Sequence, residues 1–76
     1  MKKMKISLGS IEAVKEFVAL TNSYSFDSDL VSGRYAVDAK SIMGIFSLDL
    51  SKELTLNIHS DDCADFLDAI KKYIVK

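Results

Sequence analysis

The chain has no proline and no tryptophan, and in its 76 residues it carries three glycines, one cysteine and one histidine. With no proline, no low-complexity segment and no internal repeat, nothing marks a linker, so one domain spanning residues 1–76 is expected. Cys63 has no second cysteine to pair with, which suits a reducing compartment. No charge sign dominates: ten basic residues against eleven acidic ones leave a net charge of −1, without the basic face that nucleic acid requires. No apolar run approaches the ~18 residues of a membrane span. Ile6 to Gly9, after the lysines of the first five residues, is too short for a signal-peptide core. A cytoplasmic protein with no membrane segment is expected.

What is present is patterned. Hydrophobic residues make up 49% of the chain and charged residues 28%, a balance that folds rather than stays disordered. A chain this small buries only about 60% of its unfolded surface, so its stability is modest. Met4, Ile6 and Leu8 alternate with Lys5 and Ser7 and predict a strand ending at Gly9. The period then lengthens: Ile11, Val14, Phe17, Val18 and Thr21 form the stripe of an amphipathic helix of about three turns, with Ser10 as its N-cap. Residues 22–28 favour turns. Two short strands at 29–32 and 35–38 follow, joined at Gly33-Arg34 as a hairpin.

Lys40 to Leu48 is apolar and short, consistent with a small helix opening at Ser41. Leu54, Leu56 and Ile58 alternate with Thr55, Asn57 and His59 as a last strand. Cys63, Phe66, Leu67, Ala69, Ile70, Tyr73 and Ile74 then supply the stripe of a final helix. Asp61 or Asp62 is expected to cap it. Asp61, Asp62 and Asp65 at its start and Lys71, Lys72 and Lys76 at its end suit the helix dipole, with Asp68 and Lys72 as an i,i+4 pair. The order is βαββαβα, an α/β (α+β) open-faced sandwich in which three helices cover one face of a four-stranded sheet.

Lys40-Ser41-Ile42-Met43-Gly44 is identical to the usual regulatory-serine segment of HPr, the small phosphocarrier of the bacterial sugar phosphotransferase system. Thr55-Leu56-Asn57-Ile58 before an acidic helix start is similar to that family's last strand and helix. The resemblance covers nearly the whole chain, without a gap from the first helix to Gly44 and with a slightly shorter loop near Asp49 to Glu53. It implies a four-stranded antiparallel sheet and a carrier or regulatory protein, not an enzyme.

The family opens its first helix with Gly-hydrophobic-His-Ala-Arg-Pro, whose histidine accepts a phosphoryl group from Enzyme I. Setting Ser41 on the regulatory serine places Ser10 at the histidine, Ile11 at the alanine, Glu12 at the arginine and Ala13 at the proline. A neutral imidazole is a nucleophile near pH 7, whereas an unactivated serine hydroxyl is weak and its phosphoester a poor donor. A carboxylate in place of a guanidinium also repels the incoming group. The departure resembles that of Crh, the HPr paralogue that lacks the active histidine and serves as a corepressor partner.

The resemblance implies Ser41 as a regulatory phosphorylation site, with HPr kinase/phosphorylase as the modifying enzyme; the residue reading alone makes it an N-cap, and the two are compatible. Lys40, Ile42, Met43 and Phe46 are the candidate partner-binding residues, a transcriptional regulator being the candidate partner. Ile42, Met43, Ile45 and Phe46 are too many apolar residues for one face of so short a helix, so some are exposed; Ile45 and Phe46 read equally well as core. His59 reads as a solvated histidine at a strand end. His59, Asp61, Asp62 and Cys63 include metal-ligand types, but their spacing fits no common zinc pattern. Cys63 reads as buried packing, and no cofactor is implied. Two other functions stay open: a carrier working through a non-standard residue such as His59, and an unmodified protein-binding module.

Overall fold

A computed structural model of the chain describes residues 2–75. Lys76, expected among the basic residues at the end of the last helix, lies outside them. Four strands, β1 (Lys2–Ile6), β2 (Ser28–Ser32), β3 (Tyr35–Asp38) and β4 (Leu54–Ile58), alternate with helices α1 (Ile11–Asn22), α2 (Ile42–Phe46) and α3 (Ala64–Ala69) in the order βαββαβα. The sheet is antiparallel throughout, with strand order β1-β4-β2-β3. Leu54, Leu56 and Ile58 of β4, Ile6 of β1 and Leu30 of β2 are fully buried beneath the helices. The period of two read from the sequence is therefore the alternation of core and solvent faces.

From the helix side, Val14, Phe17, Ile45, Phe66 and Ile70 complete the core. Phe66 is the hub of an aromatic cluster, with ring centroids 5.1 Å from Tyr24, 5.4 Å from Phe26 and 6.4 Å from Phe17. These contacts tie the turn segment at residues 24–26 and α1 to α3. The hairpin turn needs a left-handed residue, and Gly33 supplies it with φ 59°. The other face of the sheet carries no helix. By register it shows Lys3 and Lys5 on β1, Thr55 and Asn57 on β4, Asp29 and Val31 on β2, and Ala36 and Asp38 on β3.

Several boundaries differ from the sequence reading, each for a packing reason. The β1 ladder ends at Ile6, although Leu8 beyond it is still fully buried. Ile11 is not part of the buried stripe: at the first position of α1 it is 62% exposed, and the covered stripe begins one turn later at Val14.

The final helix is also shorter than its apolar stripe. α3 stops at Ala69, Lys71–Tyr73 form a 3-10 turn, and the chain then runs back along β1. There Ser7 N donates to Tyr73 O at 2.8 Å, Val75 N donates to Lys5 O at 2.9 Å, and Ile74 bridges Ile6. With the helix ended, Asp68 and Lys72 lose their i,i+4 geometry, and Lys72 instead forms an ion pair with Glu16 of α1.

Neither Asp61 nor Asp62 caps α3. Burial of Cys63 and Phe66 fixes the helix start, making Cys63 the N-cap residue with no side-chain cap bond. Asp62 sits one residue earlier, in a turn where its N–H donates to Ser60 Oγ at 3.2 Å.

Candidate functional site

Ser10 and Ser41 hold equivalent places in their helices. Each has extended backbone, each begins a helix at the next residue, and each hydroxyl oxygen accepts from an amide three residues on. Ala13 N lies 3.1 Å from Ser10 Oγ, and Gly44 N lies 3.1 Å from Ser41 Oγ. The N-cap preference of serine explains both: the side chain replaces a missing intrahelical acceptor. The α2 start is further fixed from α1 and β3. Thr21 Oγ1 donates to Ala39 O at 2.9 Å, Asn22 Nδ2 to Lys40 O at 3.2 Å, and Lys40 N to Asp38 Oδ1 at 2.9 Å. By sequence Thr21 falls in the α1 stripe and Asn22 in a turn, and neither contact is legible there because the partners lie 18 residues away.

Those contacts put Ser41 beside the C-terminal end of α1, whereas Ser10 sits at its N-terminal end. Twelve residues at about 1.5 Å each separate the two serines by roughly 18 Å along that axis. They are two positions rather than one site. Glu12, in the first turn of α1, is exposed, and its carboxylate suits the helix N-terminus.

Around Ser41, Lys40, Ser41 and Ile42 are half-buried, Met43 is 77% exposed, Ile45 is fully buried and Phe46 is 37% exposed. The α2 stripe thus divides: Ile45 enters the core, Ile42 packs against its edge, and Met43 and Phe46 face outward. Together with Ile11 and Tyr35 they are the exposed large apolar side chains of the described residues. Gly44 has a packing role that its motif hides. A Cβ there would lie 3.2 Å from both Ser41 Oγ and Val37 Cβ, tighter than an ordinary contact, so a side chain at residue 44 would push on both the cap and β3.

His59 follows β4 and is not a merely solvated side chain. Its Nε2 is 2.7 Å from Asp29 Oδ2, both side chains being about two-fifths exposed. An open groove of about 500 Å³ beside the pair is lined by Asp27, Ser28, Asp29, Asp38 and His59. Nothing local in the sequence signals this pair, since β2 and β4 are neighbours only through the crossed strand order. The register Lys2↔Ile58 to Ile6↔Leu54 puts His59 at the end of the sheet where β1 starts, and Ser10 beyond the end where β1 finishes. At about 3.3 Å per strand residue these ends are on the order of 13 Å apart. Among the described residues no group of three or more His, Cys, Asp or Glu side chains is arranged to hold a metal ion. No helix of the described residues is long and apolar enough to cross a membrane.

The family model for the PTS HPr component phosphorylation site matches residues 11–76. The chain belongs to the HPr family. Its match to the HPr model begins one residue after Ser10. Among solved structures, HPr-C-His from Thermoanaerobacter tengcongensis superposes with a TM-score of 0.79 at 26% identity, covering 95% of this chain and 89% of that one. The phosphocarrier protein HPr of Bacillus anthracis gives a TM-score of 0.67 at 28% identity, covering 97% and 94%. The histidine-containing phosphocarrier protein of a Mycoplasma shares the fold, with a TM-score of 0.75 at 15% identity over 93% and 89%. No curated protein matches this chain. HPr proteins are phosphocarriers and not enzymes.

Proposed function

We propose that this HPr-family chain has given up phosphoryl transfer at the first helix and works as a regulatory binding protein of the sugar phosphotransferase system, similar in that respect to Crh. The observation that carries the reading is the start of α1. There a serine hydroxyl closes the helix where the family resemblance sets a histidine, and an exposed glutamate follows two residues later. Among the described residues this hydroxyl bonds to the Ala13 amide and to no basic side chain, and its ester would be a poor donor.

Ser41 is the regulatory phosphorylation site of this reading. Its hydroxyl is half-buried at the rim of α2, and phosphate added there would sit beside Lys40. HPr kinase/phosphorylase would be the modifying enzyme, in the cytoplasm. Met43 and Phe46 supply exposed apolar area for a protein partner such as a transcriptional regulator, with Ile42 and Lys40 at its edge. A carrier working through His59 is the second reading, favoured by the Asp29 carboxylate that orients its ring. Asp27 and Asp38 beside it weigh against that reading, because they repel a phosphoryl group.

Intact-mass analysis of two reactions tests the proposal: Enzyme I with phosphoenolpyruvate in one, HPr kinase with ATP in the other. The expected result is an acid-stable phosphate in the second reaction alone, absent from Ser41→Ala. An acid-labile phosphate in the first, lost in His59→Ala, would overturn it in favour of the carrier. No phosphate in either would leave an unmodified binding module.

A further inference from the structure

The helix-free face of the sheet is charged in a self-complementary way. From β1 through β4 and β2 to β3, one row across it reads Lys3, Asn57, Asp29, Asp38, and the next reads Lys5, Thr55, Val31, Ala36. Basic residues occupy one edge strand, the carboxylates Asp29 and Asp38 lie on the two strands of the far half, and Asn57, Thr55, Val31 and Ala36 are uncharged. Lys3, Lys5, Ala36 and Asp38 are exposed. Asn57 Oδ1 is buried among these side chains with no hydrogen-bond partner.

We propose that this face binds a second copy of the chain, stacked sheet to sheet about a two-fold axis that runs along the strands between β4 and β2. That axis exchanges β1 with β3 and β4 with β2. It therefore sets Lys3 of one copy over Asp38 of the other, Asn57 over Asp29, Thr55 over Val31 and Lys5 over Ala36, each contact occurring twice. A two-fold axis across the strands would instead lay lysine on lysine, so the charge pattern selects one of the two stackings. Asn57 lies in this arrangement opposite Asp29, to whose carboxylate its Nδ2 amide donates; its Oδ1, itself an acceptor, gains no partner there.

The face also fixes how tightly the copies hold. Four strands spaced about 4.8 Å apart and five residues long cover roughly 300 Å² per copy. The two copies together bury about 600 Å², well below the total of about 1,200 Å² of a standard stable interface, so the dimer is weak, reversible and salt-sensitive.

Amide chemical shifts followed from about 0.05 to 2 mM chain at 20 mM salt, with sedimentation equilibrium alongside, test the proposal. The expected result is concentration-dependent shifts at residues 3–5, 29–31, 36–38 and 55–57, suppressed at 500 mM salt. Lys5→Glu tests the register with Ala36→Lys. Alone, Ala36→Lys sets two lysines face to face and weakens association about fivefold, whereas an equimolar mixture with Lys5→Glu associates more tightly than the unaltered chain. Both positions are exposed on strands, and dispersed amide spectra verify that each variant folds. Shifts that do not change up to 2 mM would overturn the proposal. So would shifts confined to Ile11, Met43 and Phe46, or a mixture no tighter than either variant alone.

Discussion

The starts of α1 and α2 use the same residue in the same way and differ in almost everything around it. Both begin with a serine cap whose oxygen accepts an amide hydrogen bond at 3.1 Å. At α1 the cap stands alone on an exposed turn, followed by Glu12 and an exposed Ile11. At α2 the cap is held from three sides, by Asp38, by Asn22 and Thr21, and by the close approach that Gly44 permits. A cap is a local solution to unsatisfied amides. What surrounds it decides whether it is also a place where chemistry or recognition is built.

The strongest way to break the contrast is to build a histidine and an arginine into the start of α1. Ser10→His combined with Glu12→Arg is expected to take an acid-labile phosphate from Enzyme I and phosphoenolpyruvate where the unaltered chain takes none, read by intact mass. Next come the residues that donate to each cap. Gly44→Ala gains about 1 kcal/mol of helix propensity but forces a methyl against Val37 at a cost of about 1–3 kcal/mol. A net loss of stability is expected in urea unfolding, with amide shifts spreading to β3. Ala13→Gly should lose about 1 kcal/mol from propensity alone and leave β3 unmoved.

Removing the caps should be closer to symmetric: Ser10→Ala and Ser41→Ala each cost about 1 kcal/mol. If Ser41→Ala costs distinctly more, its hydroxyl has a second structural role. The smallest effect lies between α1 and the C-terminal turn. Lys72, and Tyr73 after it, hold the Glu16 carboxyl below its usual range through hydrogen bonds. A carboxyl whose pKa is lower folded than unfolded contributes stability above its unfolded value, and loses it as pH falls through the folded one. Glu16→Gln is therefore expected to leave stability nearly unchanged below that range and to lower it slightly at neutral pH. Both partners are exposed, so the difference should fade in salt.

The four strands, α1 and α2, with both serine caps, were legible because alternation and the helical period record which side chains meet the core. Where the sequence misled, a distant contact outweighed a local pattern. The apolar stripe through Ile70, Tyr73 and Ile74 reads as one helix, yet pairing with β1 bends it after Ala69. Asp62 has the composition of a cap, but burial of Cys63 sets the register one residue later. His59 read as isolated because nothing local announces that β2 lies beside β4 and brings Asp29 to it. Ile11 fits the stripe by spacing, and only the position of α1 over the sheet shows that its first turn overhangs the core.

The return of residues 73–75 along β1 has a consequence for synthesis. β1 leaves the ribosome some seventy residues before the backbone groups that cover its far edge near Lys5 and Ser7. During that interval the edge stays open to any extended chain nearby. A product lacking Tyr73 to Val75 would keep it open permanently, and should aggregate more than the lost buried area suggests.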